Sequence, residues 1–193
     1  MNILNELLML SEAKKKNLIG LTINGKKITK KTPSELWHDD FNCSDTKITS
    51  LEGAPGSVGG NFSCYNNQLT SLEGSPSSVG GYFDCSNNQL TSIEGAPSSV
   101  CGGFSCFNNQ LTSLTGIHKI LKQMNGIFYA NGNTLKSNVI GLLLVKGCKE
   151  VKLDNKQVME IMNRHLKSPF GNKRVIECQS EILDAELGDW AEL

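Results

Sequence analysis

At 193 residues the chain has room for one domain, or for one repeat array with its caps. Lys+Arg and Asp+Glu balance at 19 each, which argues against a general nucleic-acid or polyanion binder with a net basic footprint. No apolar run approaches the roughly 18 residues that would mark a membrane-spanning helix.

Met1 to Leu10 has the pattern of a small amphipathic helix, and Leu10-Ser11-Glu12-Ala13 follows it. This start is not a secretory signal, because its apolar stretch carries Glu6 and lacks a basic beginning. Seven lysines fall between Lys14 and Lys31, against an acidic tail at Glu177, Glu181, Asp184, Glu186, Asp189 and Glu192. Ile19 to Ile23, Asn24-Gly25 and Lys26 to Thr29 read as a hairpin, Asn-Gly being the strongest two-residue turn signal. Thr32-Pro33-Ser34-Glu35 reads as a capping box that opens a short turn and buries Leu36 and Trp37.

The middle of the chain repeats itself. Phe41, Phe62, Phe83 and Phe104 head four copies spaced by 21 residues. Each copy follows the frame Phe-x-Cys-x-x-(Asn)-x-(Leu/Ile)-Thr-Ser, and such a period marks a solenoid. In Phe62-Ser63-Cys64, alternation places Phe62 and Cys64 on one face of a short strand and Ser63 on the other. Asn67, Asn88 and Asn109 then fall where the chain leaves the strand. A buried amide there offers two donors and an acceptor to backbone groups without ladder partners. Leu69, Leu72 and Val79 complete the core of that rung. Gly74, Pro76 and Gly80-Gly81 between them forbid a regular helix, so the return side is expected to be extended and thin.

The pattern decays at both ends. Thr46 stands in the first copy where Asn is expected. A fifth strand at Phe128-Tyr129-Ala130, with Asn133 and Leu135, comes 24 residues after the fourth, and a sixth at Val151-Lys152-Leu153 comes 23 further on. Ile117 to Met124 reads as a short helix, and Val139 to Val145 as the return segment before the sixth strand. Asp154 with Gln157 signals a helix start, followed by Val158, Ile161, Met162 and Leu166 at helical spacing. A second helix is expected from Asn172 to Leu187, with Val175, Ile176, Ile182 and Leu183 inward and Gly188 as its stop.

Cys43, Cys64, Cys85 and Cys106 occupy one repeat position and read as small inward hydrophobes. Their spacing suits no zinc site, and all seven cysteines are expected to be reduced. No nucleophile–base constellation, cofactor motif or phosphate-cradling loop is evident. The histidines His38, His118 and His165 lie in different elements, so the chain does not read as an enzyme. What remains is the outward strand face. Its positions are Asp40, Asn42 and Ser44, then Asn61, Ser63 and Tyr65, then Tyr82, Asp84 and Ser86. Ser105 and Phe107, then Tyr129 and Asn131, continue it. Tyr65, Tyr82, Phe107 and Tyr129 stand out in a chain with 6% aromatics, and aromatics among small polar residues fit protein-binding hot spots. On this reading the double change Tyr82→Ala and Phe107→Ala weakens partner binding and leaves the melting temperature nearly unchanged.

The Asn-x-Leu offsets and the SLEGAPSSVGG-type linkers resemble short leucine-rich repeats of bacteria and tailed phages, over about Phe41 to Leu135. The resemblance implies a leucine-rich repeat solenoid with short parallel strands, a mostly non-helical convex side, and a protein-binding concave face. An N-terminal hairpin cap and a C-terminal helical cap close it. The divisions are then 1–12 as a capping helix or cleaved peptide, 13–40 as the N-terminal cap, 41–153 as the solenoid and 154–193 as the helical cap. The repeat also resembles that of effector ubiquitin ligases, but the chain has no room for their separate catalytic domain. The first residues resemble the capsid-targeting peptides of large tailed phages, which end in Leu/Ile-x-Glu before a small residue. Leu10, Glu12 and Ala13 fill those positions. That resemblance implies an internal head protein, packaged in the virion and co-injected to inhibit a host defence protein. The expectations are therefore a monomer with a protein partner, no cofactor, metal, specific nucleic acid or membrane, located in the host cytoplasm or the phage head.

Overall fold

The computed structural model describes residues 18–23, 26–28 and 36–191. The expected processing position at Leu10, Glu12 and Ala13, and the capping box at 32–35, lie outside the described residues. Two short strands, β1 (Thr22–Ile23) and β2 (Lys26–Lys27), pair antiparallel as the Asn24-Gly25 signal requires.

The rest of the β structure is one parallel solenoid of about six turns. Its main ladder consists of β4 (Phe41–Asn42), β6 (Phe62–Ser63), β8 (Phe83–Asp84) and β10 (Phe104–Ser105), followed by β11 (Gln123–Tyr129) and β12 (Lys146–Lys152). They run in register, Phe41 beside Phe62, Phe62 beside Phe83, Phe83 beside Phe104, Phe104 beside Phe128 and Phe128 beside Val151. Inward alternation buries all five phenylalanines completely. Their rings stack at centroid separations of 5.3, 5.4, 4.9 and 5.1 Å, close to the strand spacing that parallel pairing imposes.

The return side is extended, and it is also paired. Strands β3 (Leu36–Trp37), β5 (Ser57–Val58), β7 (Ser78–Val79) and β9 (Ser99–Val100) form a second parallel ladder that ends on Gln123 of β11. The two ladders merge in β11 and β12, where the register shifts around Gly126. Leu36 is consequently a strand residue and exposed, not the buried turn residue expected, whereas Trp37 packs edge-on against Phe41 at 5.2 Å. Between rungs the chain turns at Gly53, Gly74, Gly95 and Gly116, all at positive φ. At Gly95 (φ +83°) a Cβ would also lie 2.8 Å from the backbone of Leu72 and Glu73, so this turn requires glycine for two reasons.

The asparagine ladder joins one rung to the next. Asn88 Nδ2 donates to the carbonyls of Cys64 (3.0 Å) and Cys85 (3.1 Å), and its Oδ1 accepts from Leu69 N (2.9 Å). Asn67, Asn109 and Asn133 repeat the arrangement. Among the described residues no rung of this ladder precedes the first, and Thr46 serves there by donating to Cys43 O at 2.6 Å. The plain turn asparagines Asn66, Asn87 and Asn108 take left-handed backbone at φ 53°, 53° and 52°.

All seven cysteines are free thiols, and all but Cys101 are buried. Burial pushes the Cys43, Cys148 and Cys178 thiols up to about 12 and raises Cys64, Cys85 and Cys106 as well. Since the thiolate is the nucleophile, native protein should take up one equivalent of iodoacetamide, at Cys101. The other six should react only on unfolding, which intact mass with peptide mapping will check; fast labelling at any ladder cysteine would contradict the burial.

The far end differs from the sequence reading in its details. The helix α1 covers only Ile117–Ile120, and the chain is extended from Leu121. A 3-10 helix, Ile140–Leu144, precedes β12. Helix α2 (Lys156–Leu166) is capped by Asn155, whose side chain accepts from Val158 N. Asp154 instead accepts from Gly132 N at 2.8 Å. Asn163 on α2 bonds both N and O of Val151 at 2.7 and 3.0 Å, occupying the open edge of the last strand as a further rung would. Helix α3 (Asn172–Asp184) buries Arg174, Val175, Cys178 and Ile182, whereas Ile176 and Leu183, expected inward, are exposed. It stops at Glu186 (φ 60°) rather than at Gly188, with Leu187 N bonded to Ile182 O and Glu186 N to Leu183 O. Trp190 packs back against the core.

Candidate protein-binding face

The outward positions of the main ladder form three columns, because each strand presents every second residue and the strands are in register. The first column holds Asp40, Asn61, Tyr82, Gly103, Ile127 and Glu150. The second holds Asn42, Ser63, Asp84, Ser105, Tyr129 and Lys152, and the third Ser44, Tyr65, Ser86, Phe107, Asn131 and Asp154. The aromatics Tyr65, Tyr82, Phe107 and Tyr129 thus lie within rungs two to five of this one sheet face.

They differ in what they do there. Tyr65 and Phe107 are exposed, at 37% and 38%. Tyr82 and Tyr129 are half-buried. The Tyr82 ring lies so close over Gly103 that a Cβ there would meet it at 2.8 Å, and Ser105 is its hydrogen-bonding neighbour. Burial pushes the Tyr82 phenol up to about 12. Tyr82 is therefore part of the packing of its face, and its replacement will disturb more than a contact surface.

Ser86 and Ser105 hold outward positions in the register, but they are buried there at 4% and 5%. Ser86 is flanked in its column by Tyr65 and Phe107, and Ser105 lies beneath Tyr82. Their hydroxyls bond each other at 2.6 Å, as Ser44 and Ser63 do at 2.7 Å. These serines make a low floor between the rings. Asp84 stands on that floor, half-buried, with Oδ1 held by Ser86 N at 2.9 Å. Asn61 is exposed and its Oδ1 accepts from Tyr82 N at 2.7 Å, extending the ladder through a side chain. Asn131 is half-buried, and its Oδ1 is buried with no hydrogen-bond partner.

The face carries an excess of acceptors. Its outward positions include Asp40, Asp84, Glu150 and Asp154 against one cation, Lys152, which already pairs with Glu150. Sequence reasoning missed Asp154 as part of this face because it read the residue as a helix cap.

Away from the face, His165 Nε2 lies 2.9 Å from Glu181 Oε2, and Arg164 joins the same carboxylate. The His165 hydrogen bond, with help from Arg164, holds the Glu181 carboxyl below its ordinary value. This cluster ties α2 to α3. Among the described residues, no group of three or more His, Cys, Asp or Glu could hold a metal ion, and no helix is long and apolar enough to cross a membrane.

No family model, no curated protein and no solved structure matches this chain.

Proposed function

We propose that the chain is a non-enzymatic protein-binding module that engages its partner through the outward face of the phenylalanine ladder. The observation that carries this reading is the exposure of Tyr65 and Phe107 on a rigid sheet face whose inward positions scarcely vary. Packing demands uniform inward volume, but it does not call for large apolar rings in solvent. Large rigid side chains of this type supply most of the energy at protein interfaces. The double change Tyr65→Ala and Phe107→Ala tests it better than one that includes Tyr82. Affinity capture from host extract, read by mass spectrometry, should yield a protein retained by the parent chain. The double variant should lose that protein by at least about 2 kcal/mol of binding energy without a change in melting temperature. Equal retention by both would place the site elsewhere.

A second reading rests on Leu10, Glu12 and Ala13. It makes the chain an internal phage head protein whose first twelve residues are a removable targeting peptide. Intact mass of the protein from purified particles should then begin at Ala13, and Glu12→Gln should preserve the full-length chain. Absence from particles, or an uncut chain within them, would remove this reading and leave the binding module standing.

A further inference from the structure

We infer that the partner presents an arginine to this face, seated over Asp84 between Tyr65 and Phe107. This inference rests on the binding-module reading and adds the chemistry of what is bound.

The geometry follows from the register. Asp84 pairs directly with Ser63 on one side and Ser105 on the other. Tyr65 and Phe107 stand two residues beyond those serines, so both rings are diagonal neighbours of Asp84, about 7–8 Å away at the backbone. They stand two rungs apart, about 9–10 Å at the ordinary strand spacing. Between them the column holds only Ser86, which is buried at the floor. Tyr82 stands two residues before Asp84 on the same strand. The carboxylate is thus surrounded by three aromatic side chains and three serines.

Among the described residues Asp84 enters no ion pair, and its bond from Ser86 N fixes its position without a compensating charge. Asp154, at the end of the Tyr65–Phe107 column, is held in the same way by Gly132 N and likewise forms no ion pair among the described residues. Aromatic faces attract cations, and a fixed carboxylate among them selects a cation that can stack and hydrogen-bond together. Guanidinium meets both demands, being flat, weakly hydrated and rich in donors. Ammonium can hydrogen-bond the carboxylate but has no flat face to stack between the rings. An acidic or purely apolar partner segment would leave Asp84 desolvated without a counter-charge.

A random-peptide display library panned against the full chain tests this. The enriched peptides should share an arginine. Binding of each synthetic peptide, read by fluorescence anisotropy, should weaken about tenfold or more on Arg→Ala in the peptide or Asp84→Asn in the protein. Arg→Lys should weaken it less, and affinity should fall between about 50 and about 500 mM salt. Asp84→Asn keeps the Oδ1 acceptor for Ser86 N, so its melting temperature should equal that of the parent. Peptides without arginine that still depend on Tyr65 and Phe107 would overturn this inference and leave the binding face intact. Peptides indifferent to Asp84, Tyr65 and Phe107 would overturn both. A selection with no enriched binder would also overturn the arginine assignment.

Discussion

Phe83→Ala should destabilise the solenoid by about 3–5 kcal/mol, the cost of removing a large buried ring whose site cannot collapse. Phe83 is wholly buried, with Phe62 at 5.4 Å on one side and Phe104 at 4.9 Å on the other. Its removal therefore strips one contact from each of two neighbours. Closure of the gap is opposed by the backbone. Phe83 N bonds Gly103 O at 3.0 Å and Phe62 N bonds Tyr82 O at 2.9 Å, which holds the rungs at a fixed spacing. Rungs in a solenoid touch only their neighbours, so a defect in the middle also divides the array into two shorter stacks. Urea denaturation should show a lower midpoint, and a broader transition if the halves uncouple. Phe83→Leu, which refills much of the volume, should cost less than about 1.5 kcal/mol. A loss below about 1 kcal/mol for the alanine variant would show that the ladder closes around the missing ring.

The parts of the fold that depend on identical neighbours were legible in the sequence. Phe83, Cys85, Asn88 and Leu90 each meet copies of themselves one rung away, so their period states their environment. Ser78–Val79 was harder, because a two-residue strand has no periodicity of its own and the adjacent Gly80-Gly81 pair looks like loop. The segment 117–124 misled for a different reason. Its apolar residues Ile117, Ile120, Leu121 and Met124 fit a helical spacing, yet Gln123 pairs with Ser99 and the parallel ladder overrides the local pattern. In α3 both Val175 and Ile176 are apolar, but one helix face can be buried, and it runs through Arg174, Val175, Cys178 and Ile182. On the binding face, alternation placed Ser86 outward correctly but could not show its burial. That burial comes from Tyr65 and Phe107 on other rungs, and depends on how far each ring leans.

The asparagine ladder gives the most discriminating test, because chemistry rather than volume decides it. Asn88→Ala leaves Leu69 N without its acceptor and takes one of two amide donors from each of the Cys64 and Cys85 carbonyls, which Asn67 and Asn109 still serve. One orphaned buried group costs about 1–3 kcal/mol, and water entering the vacated space can offset part of it. A total of about 1–3 kcal/mol is therefore expected. Asn88→Asp separates donor from acceptor at almost constant shape. Its ionised form can still accept from Leu69 N, but it turns a negative oxygen toward the carbonyl oxygens of Cys64 and Cys85, which repel it. The protonated form can donate to one of them, so burial and these carbonyls should raise the folded-state pKa of the introduced carboxyl above its unfolded value near 3.9. A raised folded pKa contributes its stability fully below the unfolded value and loses it as pH rises through the folded one. The aspartate variant should thus approach the parent near pH 3–4 and fall behind it towards neutrality, whereas the alanine variant should show no such convergence. Chemical denaturation of the three proteins across that range measures the difference directly. Parallel curves for the aspartate variant and the parent would mean that Asn88 does not donate to the rungs it joins.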